Sequence, residues 1–305
     1  MHKDKTYLLV TTSSGVKKLT IIFSKFPDGE IHCVVKNPSA LLNNSVLIIH
    51  DLYPSQNEQM FKLIILVDLL LDYGANNVSF FTPYLPYARQ DKRHIEGEAV
   101  TANIICGLFA KIGISQLYTF DCHFMKGEPE AVVNGLKIFN LSLGDKLIDN
   151  CKRYFNNLPF DVIGPDSGSN YLIRDFGSQS MHKQRGEYGA EIRHGVSHRD
   201  VINLSHDHIK ITYDNVLVID DIISTGGTIL RAINNLRSRG VKNIYCLAIH
   251  GLFLNGSYDD LLKVADKVIV SDTIPSAASI KVTLETLNDE IVPKWIELVN
   301  IKKLT

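Results

Sequence analysis

The sequence predicts an α/β protein with two domains, each built from a mainly parallel sheet flanked by helices. Short runs rich in β-branched residues alternate with helical patterns along the first half of the chain, and the alternation restarts in the second half. This order is typical of parallel strands joined by crossover helices. The length of 305 residues is also about twice that of a common single domain. The alternation and the length therefore favour the same organisation.

The first half contains two strands and two helices in alternating order. Short apolar runs predict strands at 45–49 and 78–82, and apolar residues at helical spacing predict helices at 60–73 and 101–112. In the second half, the same spacing predicts a helix over 143–155. The further strands and helix are predicted at 160–163, 216–219, 229–236 and 244–249.

The two domains are predicted to meet near Asn140. We assign 1–139 with 284–305 to a first domain and 140–283 to a second domain. The stretch 180–214 is the least periodic and most polar part of the chain, and we predict a mobile loop region there.

Composition excludes several functional classes. Hydrophobic residues make up 45% and charged residues 21%, as in ordinary folded proteins. The net charge of -1 provides no basic field for non-specific binding to nucleic acid or anionic lipid. The apolar stretch 63–71 is interrupted by Asp68 and is too short to span a bilayer, and 1–5 lacks the apolar region of a signal peptide. We therefore expect a cytoplasmic protein that binds neither nucleic acid nor membranes.

The cysteines indicate a reducing environment. Five are present, an odd number, and they are widely spaced, which suits neither a disulfide framework nor a zinc ribbon. We predict buried thiols at Cys33, Cys106, Cys122, Cys151 and Cys246.

A phosphate site is predicted where the apolar run 216–219 leads through a short loop into the helical pattern that starts at Ile229. Backbone N–H groups at a helix N-terminus lack internal partners and favour negative charge. Gly226 and Gly227 allow the backbone to close around a phosphate. The hydroxyls that can donate to its oxygens belong to Ser224, Thr225 and Thr228.

Two adjacent acids precede this loop. Asp220 and Asp221 follow a buried strand, where a phosphate site would ordinarily avoid negative charge. The alternative of a simple N-cap with a glycine turn leaves both carboxylates unexplained. They suit a site in which they accept hydrogen bonds from sugar hydroxyls or help to hold a metal ion.

The run 216–228 closely resembles the phosphoribosyl-diphosphate-binding motif shared by type I phosphoribosyltransferases and ribose-phosphate pyrophosphokinases. The segment 87–93 resembles the ATP-binding signature of the pyrophosphokinases, and 26–30 resembles their adenine-contacting hairpin. Taken alone, Asp28-Gly29 is as well explained by a type I′ turn, and the Arg89 segment by a solvated charged loop. The occurrence of all three motifs in the order of the family favours the pyrophosphokinases.

Further matches extend the resemblance over most of the chain, at 121–123, 164–168, 250–253 and 271–275. The resemblance implies that His123 binds the metal of Mg-ATP and that Asp166 lies near a second metal and the ribose. It also implies that Lys183 and Arg185 stabilise charge on the transferring diphosphoryl group, as cations do in phosphoryl transfer. The alternatives are a structural histidine at 123 and surface charges in the loop.

The resemblance implies two domains of the phosphoribosyltransferase type and transfer of the diphosphoryl group of ATP to the C1 hydroxyl of ribose 5-phosphate, with Mg²⁺. ATP is expected at Phe26, Asp28, Glu30, Arg89, Gln90 and Asp91. Ribose 5-phosphate is expected at Asp220, Asp221, Ser224, Thr225, Gly226, Gly227 and Thr228. Family members self-associate through the first domain, so a homo-oligomer between dimer and hexamer is expected. The rival hypotheses are a phosphoribosyltransferase and a catalytically silent regulatory homologue.

The chain departs from the common family pattern in three places. The segment 93–98 resembles the archaeal-type branch more than the common bacterial and animal form. Between 7–10 and Ser13 there is little room for the usual first helix, so a piece of the first domain is expected to be rebuilt or missing. The interval from Asp166 to Lys183 is also short. The histidines in the polar stretch are interpreted as solvated rather than as a metal cluster, and they are His194, His198, His206 and His208.

Overall fold

The computed structural model describes residues 6–156, 158–176, 179–183, 204–205 and 209–304. Arg185 and the four histidines of the polar stretch lie outside the described residues, as does most of the predicted mobile region. The chain forms two compact units, Met1–Ser142 with Lys281–Thr305, and Leu143–Ile280.

The strands are β1 Tyr7–Thr12, β2 Gly15–Lys25, β3 Ile31–Val35, β4 Ser45–Ile49, β5 Asn77–Phe81, β6 Ile114–Phe120, β7 Glu130–Val133, β8 Leu136–Leu141, β9 Asp161–Gly164, β10 Gln179–Ser180, β11 His182–Lys183, β12 Leu204–Ser205, β13 Asn215–Ile223, β14 Asn243–Gly251, β15 Lys267–Ser271 and β16 Ser279–Ile280. The helices are α1 Gln56–Asp72, α2 Thr101–Lys111, α3 Gly144–Lys152, α4 Asn170–Ile173, α5 Gly227–Ser238, α6 Ser257–Leu262, α7 Thr283–Thr286 and α8 Val292–Leu304. A π-helical turn, Leu287–Ile291, joins the last two helices.

The first unit contains an eight-stranded sheet in the order β3-β2-β1-β4-β5-β6-β8-β7. Its centre is parallel, because β4, β5, β6 and β8 pair in the same direction. Its margins are antiparallel hairpins formed by β1 to β3 and by β7 with β8. Thr12 pairs with Gly15 across the turn from β1 to β2, so no helix lies between these strands, as the sequence predicted.

The core of the first unit is formed by the central strands and the helices beside them. On α1, Leu63, Leu66, Val67 and Leu70 recur at helical spacing and are fully buried. Burial of each such side chain stabilises the fold by about 1.5–3 kcal/mol. In α2, Cys106 and Phe109 are buried in the same cluster. The helical spacing of apolar residues in the sequence therefore reflects the burial of one face of each helix in this core.

The second unit contains a six-stranded parallel sheet in the order β10-β9-β13-β14-β15-β16. β13 lies between β9 and β14, and its residues Val216 to Ile219 are completely buried. On α5, the buried residues are Ile229, Ala232, Ile233 and Leu236, which form one face of the helix. A separate two-stranded antiparallel ribbon joins β11 and β12. The carboxyl ends of parallel strands share one edge, so β9 and β13 bring their following loops together.

The five cysteines are free thiols. Four of them are buried as predicted, whereas Cys33 is only partly buried, because β3 is an edge strand of the sheet that the described residues form. Burial raises the pKa of Cys106 to about 11 and that of Cys151 to about 12. Among the described residues, no helix is both long enough and apolar enough to cross a lipid bilayer.

Candidate active site

The predicted phosphate loop joins the end of β13 to the start of α5. The strand continues through the two acids to Ile223, and the helix begins at Gly227. Gly226 precedes the helix with φ 75°, a left-handed conformation that favours glycine. Its carbonyl accepts the first helical hydrogen bond, from Leu230 N–H at 2.8 Å. Because glycine has no side chain, it supplies no acceptor that would occupy the first N–H groups of α5.

The two glycines of the loop have different surroundings. A Cβ atom at Gly226 would lie 3.2 Å from Cβ of Ser257, which is tighter than nine in ten real Cβ contacts. Among the described residues beyond its chain neighbours and its own helix backbone, a Cβ atom at Gly227 would meet Nη1 of Arg231 at 3.6 Å and nothing closer. The fold itself therefore requires a glycine at 226. At 227 the described residues leave room for a small side chain.

Three carboxylates lie near one another at the ends of β9 and β13. Val218 pairs with Ile163 in the sheet, which brings Asp220 close to Asp166. Burial raises the pKa of Asp220 well above its ordinary value, and the charges of Asp221 and Asp166 act in the same direction. Oδ1 of Asp220 accepts a hydrogen bond from Asp221 N–H at 3.0 Å. The negative charge concentrated here suits sugar hydroxyl donors or a cation.

Asp166 also shapes the backbone beside it. Its Oδ1 accepts a hydrogen bond from Gly168 N–H at 2.7 Å, and its carbonyl accepts one from Ser169 Oγ at 2.8 Å. A Cβ atom at Gly164 would lie 2.4 Å from the same Oγ, so the tight turn 164–169 requires a glycine there. The carboxylate of Asp166 is thereby held at the end of β9.

The acids of the second unit are better suited to bind Mg²⁺ than the histidine of the first unit. Carboxylate oxygens are the ligands that Mg²⁺ prefers, which agrees with Asp166, Asp220 and Asp221. Imidazole nitrogen, as in His123, is a less usual ligand for this ion. Within the described ranges, no group of three or more His, Cys, Asp and Glu side chains has the arrangement of a metal site. His123 lies in the first unit and Asp166 in the second.

His123 follows β6, the strand next to β5 in the sheet, and it is partly buried. The preceding turn is fixed because Cys122 N–H donates to Oδ1 of Asn140 at 2.7 Å. Nδ2 of Asn140 in turn donates to the carbonyl of Glu128 at 3.0 Å. Asp121, with φ 37°, is buried at the start of this turn. The loop that carries His123 is therefore bonded near both of its ends to Asn140, which lies in β8.

The Arg89 segment connects β5 to α2 and is anchored by its backbone. Tyr87 has φ 65°, which is strained for a residue other than glycine. Its carbonyl accepts hydrogen bonds from Gln90 N–H and Thr101 Oγ1, both at 3.4 Å, and its hydroxyl donates to Oδ1 of Asn57. Arg89 is exposed beside the buried Ala88. An exposed guanidinium on a fixed backbone can bind an anionic group.

Gln90 and Asp91 follow Arg89 and are partly buried. The carbonyl of Gln90 accepts a hydrogen bond from Ala102 N–H at 3.2 Å, in the first turn of α2. Downstream, Oε2 of Glu98 accepts from His94 N–H at 2.7 Å, and this hydrogen bond is the main cause of the lowered pKa of Glu98. The loop 87–100 is therefore closed by local hydrogen bonds.

The hairpin that carries Phe26, Asp28 and Glu30 connects β2 to β3 and is exposed along its whole length. Gly29 N–H donates to the carbonyl of Phe26 at 2.9 Å, and Phe26 N–H donates to the carbonyl of Glu30 at 2.9 Å. Gly29 has φ 96°, whereas Asp28 is not among the residues with positive φ. The alternative of a type I′ turn at Asp28-Gly29 is therefore wrong, because that turn needs positive φ at both residues. The hairpin has a three-residue loop, 27–29, in which Pro27 favours the ordinary φ of a type I turn.

Lys183 belongs to the ribbon in which it pairs with Leu204. β10 brings the chain alongside β9 just before this ribbon, and Met181 N–H donates to the carbonyl of Gly164 at 3.0 Å. Arg185, the second predicted cation, is outside the described residues. The assignment of catalytic roles to this pair stays a prediction.

Two groups of residues beside the phosphate loop have no role in the predictions made from the sequence. Nδ1 of His250 is hydrogen-bonded to Oγ1 of Thr273 at 2.9 Å, and Oγ of Ser271 donates to the carbonyl of Ile249 at 2.6 Å. These bonds tie together the ends of β14 and β15. Ser257 bonds directly to the loop through Ser224. No local pattern marks Ser257, because its role depends on how the chain turns after β14.

The fold and the loop define the class of protein: an α/β protein of the phosphoribosyltransferase type, with a second sheet domain. Residues 5–113 match the family model for the N-terminal domain of ribose phosphate pyrophosphokinase, and residues 141–285 match that for the phosphoribosyl transferase domain. The chain belongs to the ribose-phosphate pyrophosphokinase family. This membership confirms the resemblance, the fold class and the type of enzyme predicted from the sequence.

Similar proteins have been named in several archaea. The ribose-phosphate pyrophosphokinase of Sulfolobus acidocaldarius is 32% identical over 281 residues, with 88% of this chain and 89% of the relative covered. That of Thermococcus kodakarensis is 30% identical, with 88% and 90% covered. These relatives agree with the predicted likeness to the archaeal-type branch. Phosphoribosylpyrophosphate synthetase from Mycobacterium smegmatis has the same fold, with a TM-score of 0.69, 22% identity, and coverage of 87% of this chain and 84% of that chain.

Proposed function

We propose that this chain transfers the diphosphoryl group of ATP to the C1 hydroxyl of ribose 5-phosphate, which yields phosphoribosyl diphosphate and AMP. The observation that carries the proposal is the loop after β13, where a left-handed Gly226 opens a helix N-terminus directly beside Asp220 and Asp221. This arrangement provides N–H donors for a phosphate and carboxylate acceptors for sugar hydroxyls within one short segment. Membership of the family supports the same reaction.

In this proposal each unit supplies one substrate site. In the second unit, Asp220 and Asp221 accept hydrogen bonds from the ribose hydroxyls, and 224–228 binds the 5-phosphate. In the first unit, Arg89 with its neighbours Gln90 and Asp91 binds ATP. The exposed hairpin contributes Phe26, Asp28 and Glu30 to an adenine site, and we assign self-association, between dimer and hexamer, to the same unit. A cytoplasmic location stays a prediction.

The reaction forms a bond between the C1 oxygen and the β-phosphorus of ATP and breaks the bond from that phosphorus to the oxygen of the leaving AMP. Negative charge spreads over these oxygens in the transition state. Lys183 and Arg185 are proposed to stabilise this charge more than that of the bound substrates, which lowers the barrier. Mg²⁺ would supply further charge neutralisation when bound, with His123 proposed for the metal of Mg-ATP and Asp166 for a second metal near the ribose. The neighbouring carboxylates of Asp220 and Asp221 would also attract a cation near Asp166.

The test is AMP formation from ATP, measured with and without ribose 5-phosphate and with and without Mg²⁺. We expect AMP only when all three components are present, together with one equivalent of phosphoribosyl diphosphate. AMP formation that is independent of ribose 5-phosphate would contradict the proposal. A phosphoribosyltransferase would instead consume phosphoribosyl diphosphate and a base and release diphosphate. A silent homologue would bind both substrates without turnover.

A further inference from the structure

The chain that follows β14 makes a set of hydrogen bonds to the phosphate loop. We name 252–257 the support segment. Leu252 N–H and Phe253 N–H donate to the carbonyl of Ile223, at 2.9 and 3.3 Å. Leu254 N–H donates to the carbonyl of Ser224 at 2.9 Å. The carbonyls of Ile223 and Ser224, which lead into the phosphate loop, are thus bonded to the support segment.

Ser257 adds a side-chain bond to the same carbonyl. Its Oγ donates to the carbonyl oxygen of Ser224 at 3.0 Å, and its side chain is 1% exposed. It also forms one wall of the space in which Gly226 lies, because a Cβ atom at 226 would be 3.2 Å from Cβ of Ser257. Ser257 therefore contacts the loop at two residues, Ser224 and Gly226. A buried hydroxyl of this kind is held in place because its own donor is satisfied.

This contact fixes the direction of one backbone donor. In a trans peptide the C=O and the following N–H point in opposite directions. The carbonyl of Ser224 points toward Ser257 and Leu254 N–H, so the N–H of Thr225 points away from the support segment. Thr225 is exposed. Two hydrogen bonds on one carbonyl thereby hold an N–H donor on the open side of the phosphate loop.

We propose that Ser257 is a positioning residue for ribose 5-phosphate, which acts by holding the peptide between Ser224 and Thr225 so that its N–H faces the 5-phosphate. This inference rests on the proposed function, because it assumes that the loop binds the sugar phosphate. Ser257 touches no substrate in this scheme. A fixed donor binds phosphate better than a mobile one, because less conformational freedom is lost on binding. The effect should therefore be confined to ribose 5-phosphate.

The test compares Ser257→Ala with Ser238→Ala under steady-state conditions. Ser238 lies at the other end of α5, is exposed, and makes the same type of bond, from Oγ to the carbonyl of Asn235 at 2.8 Å. In S257A the carbonyl of Ser224 keeps its bond from Leu254, so no buried acceptor is left unpaired. We expect the KM for ribose 5-phosphate to rise about fivefold, the equivalent of one net hydrogen bond. The kcat and the KM for ATP should stay close to wild type, the Tm should fall by no more than a few degrees for the lost hydrogen bond, and S238A should change none of these quantities.

Direct binding of ribose 5-phosphate, measured by calorimetry without ATP, should weaken by the same factor as the KM. An unchanged affinity in S257A would overturn the inference. A parallel loss of Tm, kcat and affinity for ATP would do the same, since it would show general destabilisation. If S257A does not fold, Ser257→Cys keeps the volume, weakens the donor and gives the same comparison. Wild-type protein that forms no AMP would refute the proposed function itself, whereas active wild type with unchanged S257A refutes only the role of Ser257.

Discussion

The adjacent glycines at the start of α5 should respond in opposite ways to the same substitution. At Gly226, with φ 75°, a side chain costs about 1–2 kcal/mol for the left-handed conformation alone. The added Cβ would also lie 3.2 Å from Cβ of the buried Ser257, so the backbone or its neighbour must shift. Gly226→Ala should therefore lower the free energy of unfolding of the second unit and lower its Tm by several degrees.

Gly227 is the first residue of α5 and has ordinary space around it. In the described part of the chain, the nearest atom to a new Cβ there is the end of the flexible Arg231 side chain, at 3.6 Å. Alanine is favoured over glycine in helices by up to about 1 kcal/mol, so Gly227→Ala should leave the Tm unchanged or raise it. A larger side chain at this position should instead prevent close approach of the phosphate to the N–H groups. Loss of one or two charge-assisted hydrogen bonds predicts that Gly227→Val raises the KM for ribose 5-phosphate about ten- to a hundredfold.

Thermal unfolding and steady-state kinetics on the same preparations separate the two effects. We expect the Tm to fall in Gly226→Ala and to be maintained in Gly227→Ala. The KM for ribose 5-phosphate should rise steeply in Gly227→Val, with little change in the KM for ATP. A normal KM for ribose 5-phosphate in folded Gly227→Val would refute the assignment of the phosphate loop. A Tm that falls equally at both positions would refute the conformational argument.

The other predictions concern ATP, the transferring group and the acids. Arg89→Ala should weaken ATP binding and leave ribose 5-phosphate binding nearly intact, as measured by calorimetry on each ligand, and equal losses would indicate misfolding or a misplaced site. Lys183→Ala should reduce kcat by about 10³ to 10⁵, with little change in either KM, and a near-normal kcat would favour a different cation. Asp220→Asn should raise the Tm of the ligand-free protein at neutral pH while it raises the KM for ribose 5-phosphate, and a lower Tm would show that the Asp220 carboxylate does not destabilise the fold.

Elements of the parallel sheets were predictable from the sequence because their burial is nearly complete. The strand predicted at 45–49 coincides with β4, all of whose residues are buried. The helix predicted at 60–73 starts four residues too late, because the first turn of α1 is polar, with Asn57 and Glu58. The predicted strand 216–219 is the fully buried centre of a longer strand. An apolar pattern thus locates the interior of an element better than its ends.

Features that depend on backbone conformation or on distant contacts were not predictable. Gly226 and Gly227 are equivalent in the sequence, and only the start of α5 decides which of them takes positive φ. The Asp28-Gly29 pair suggested a two-residue turn, whereas the hydrogen bonds of Phe26 define a longer loop. Alternation of strands and helices also gave no indication of the antiparallel margins of the first sheet. Ser257 has a role only because its segment returns to β13.

Asp220 shows how the proposed site and the stability of the fold oppose each other. Its folded-state pKa lies above the ordinary value near 4, so the folded protein binds more protons than the unfolded chain in the interval between the two pKa values. Stability therefore decreases as the pH rises through that interval, and the loss is complete above the folded pKa.

Asp220→Asn removes this titration, so the difference in Tm between variant and wild type should be small in acid and should grow as the pH rises. Unfolding followed by fluorescence across this range measures that difference. A constant difference would show that burial and the charges of Asp221 and Asp166 do not act on Asp220 as described. The carboxylate of Asp220 is also the acceptor proposed for a ribose hydroxyl, so the residue that lowers stability is the one that the proposed sugar site needs.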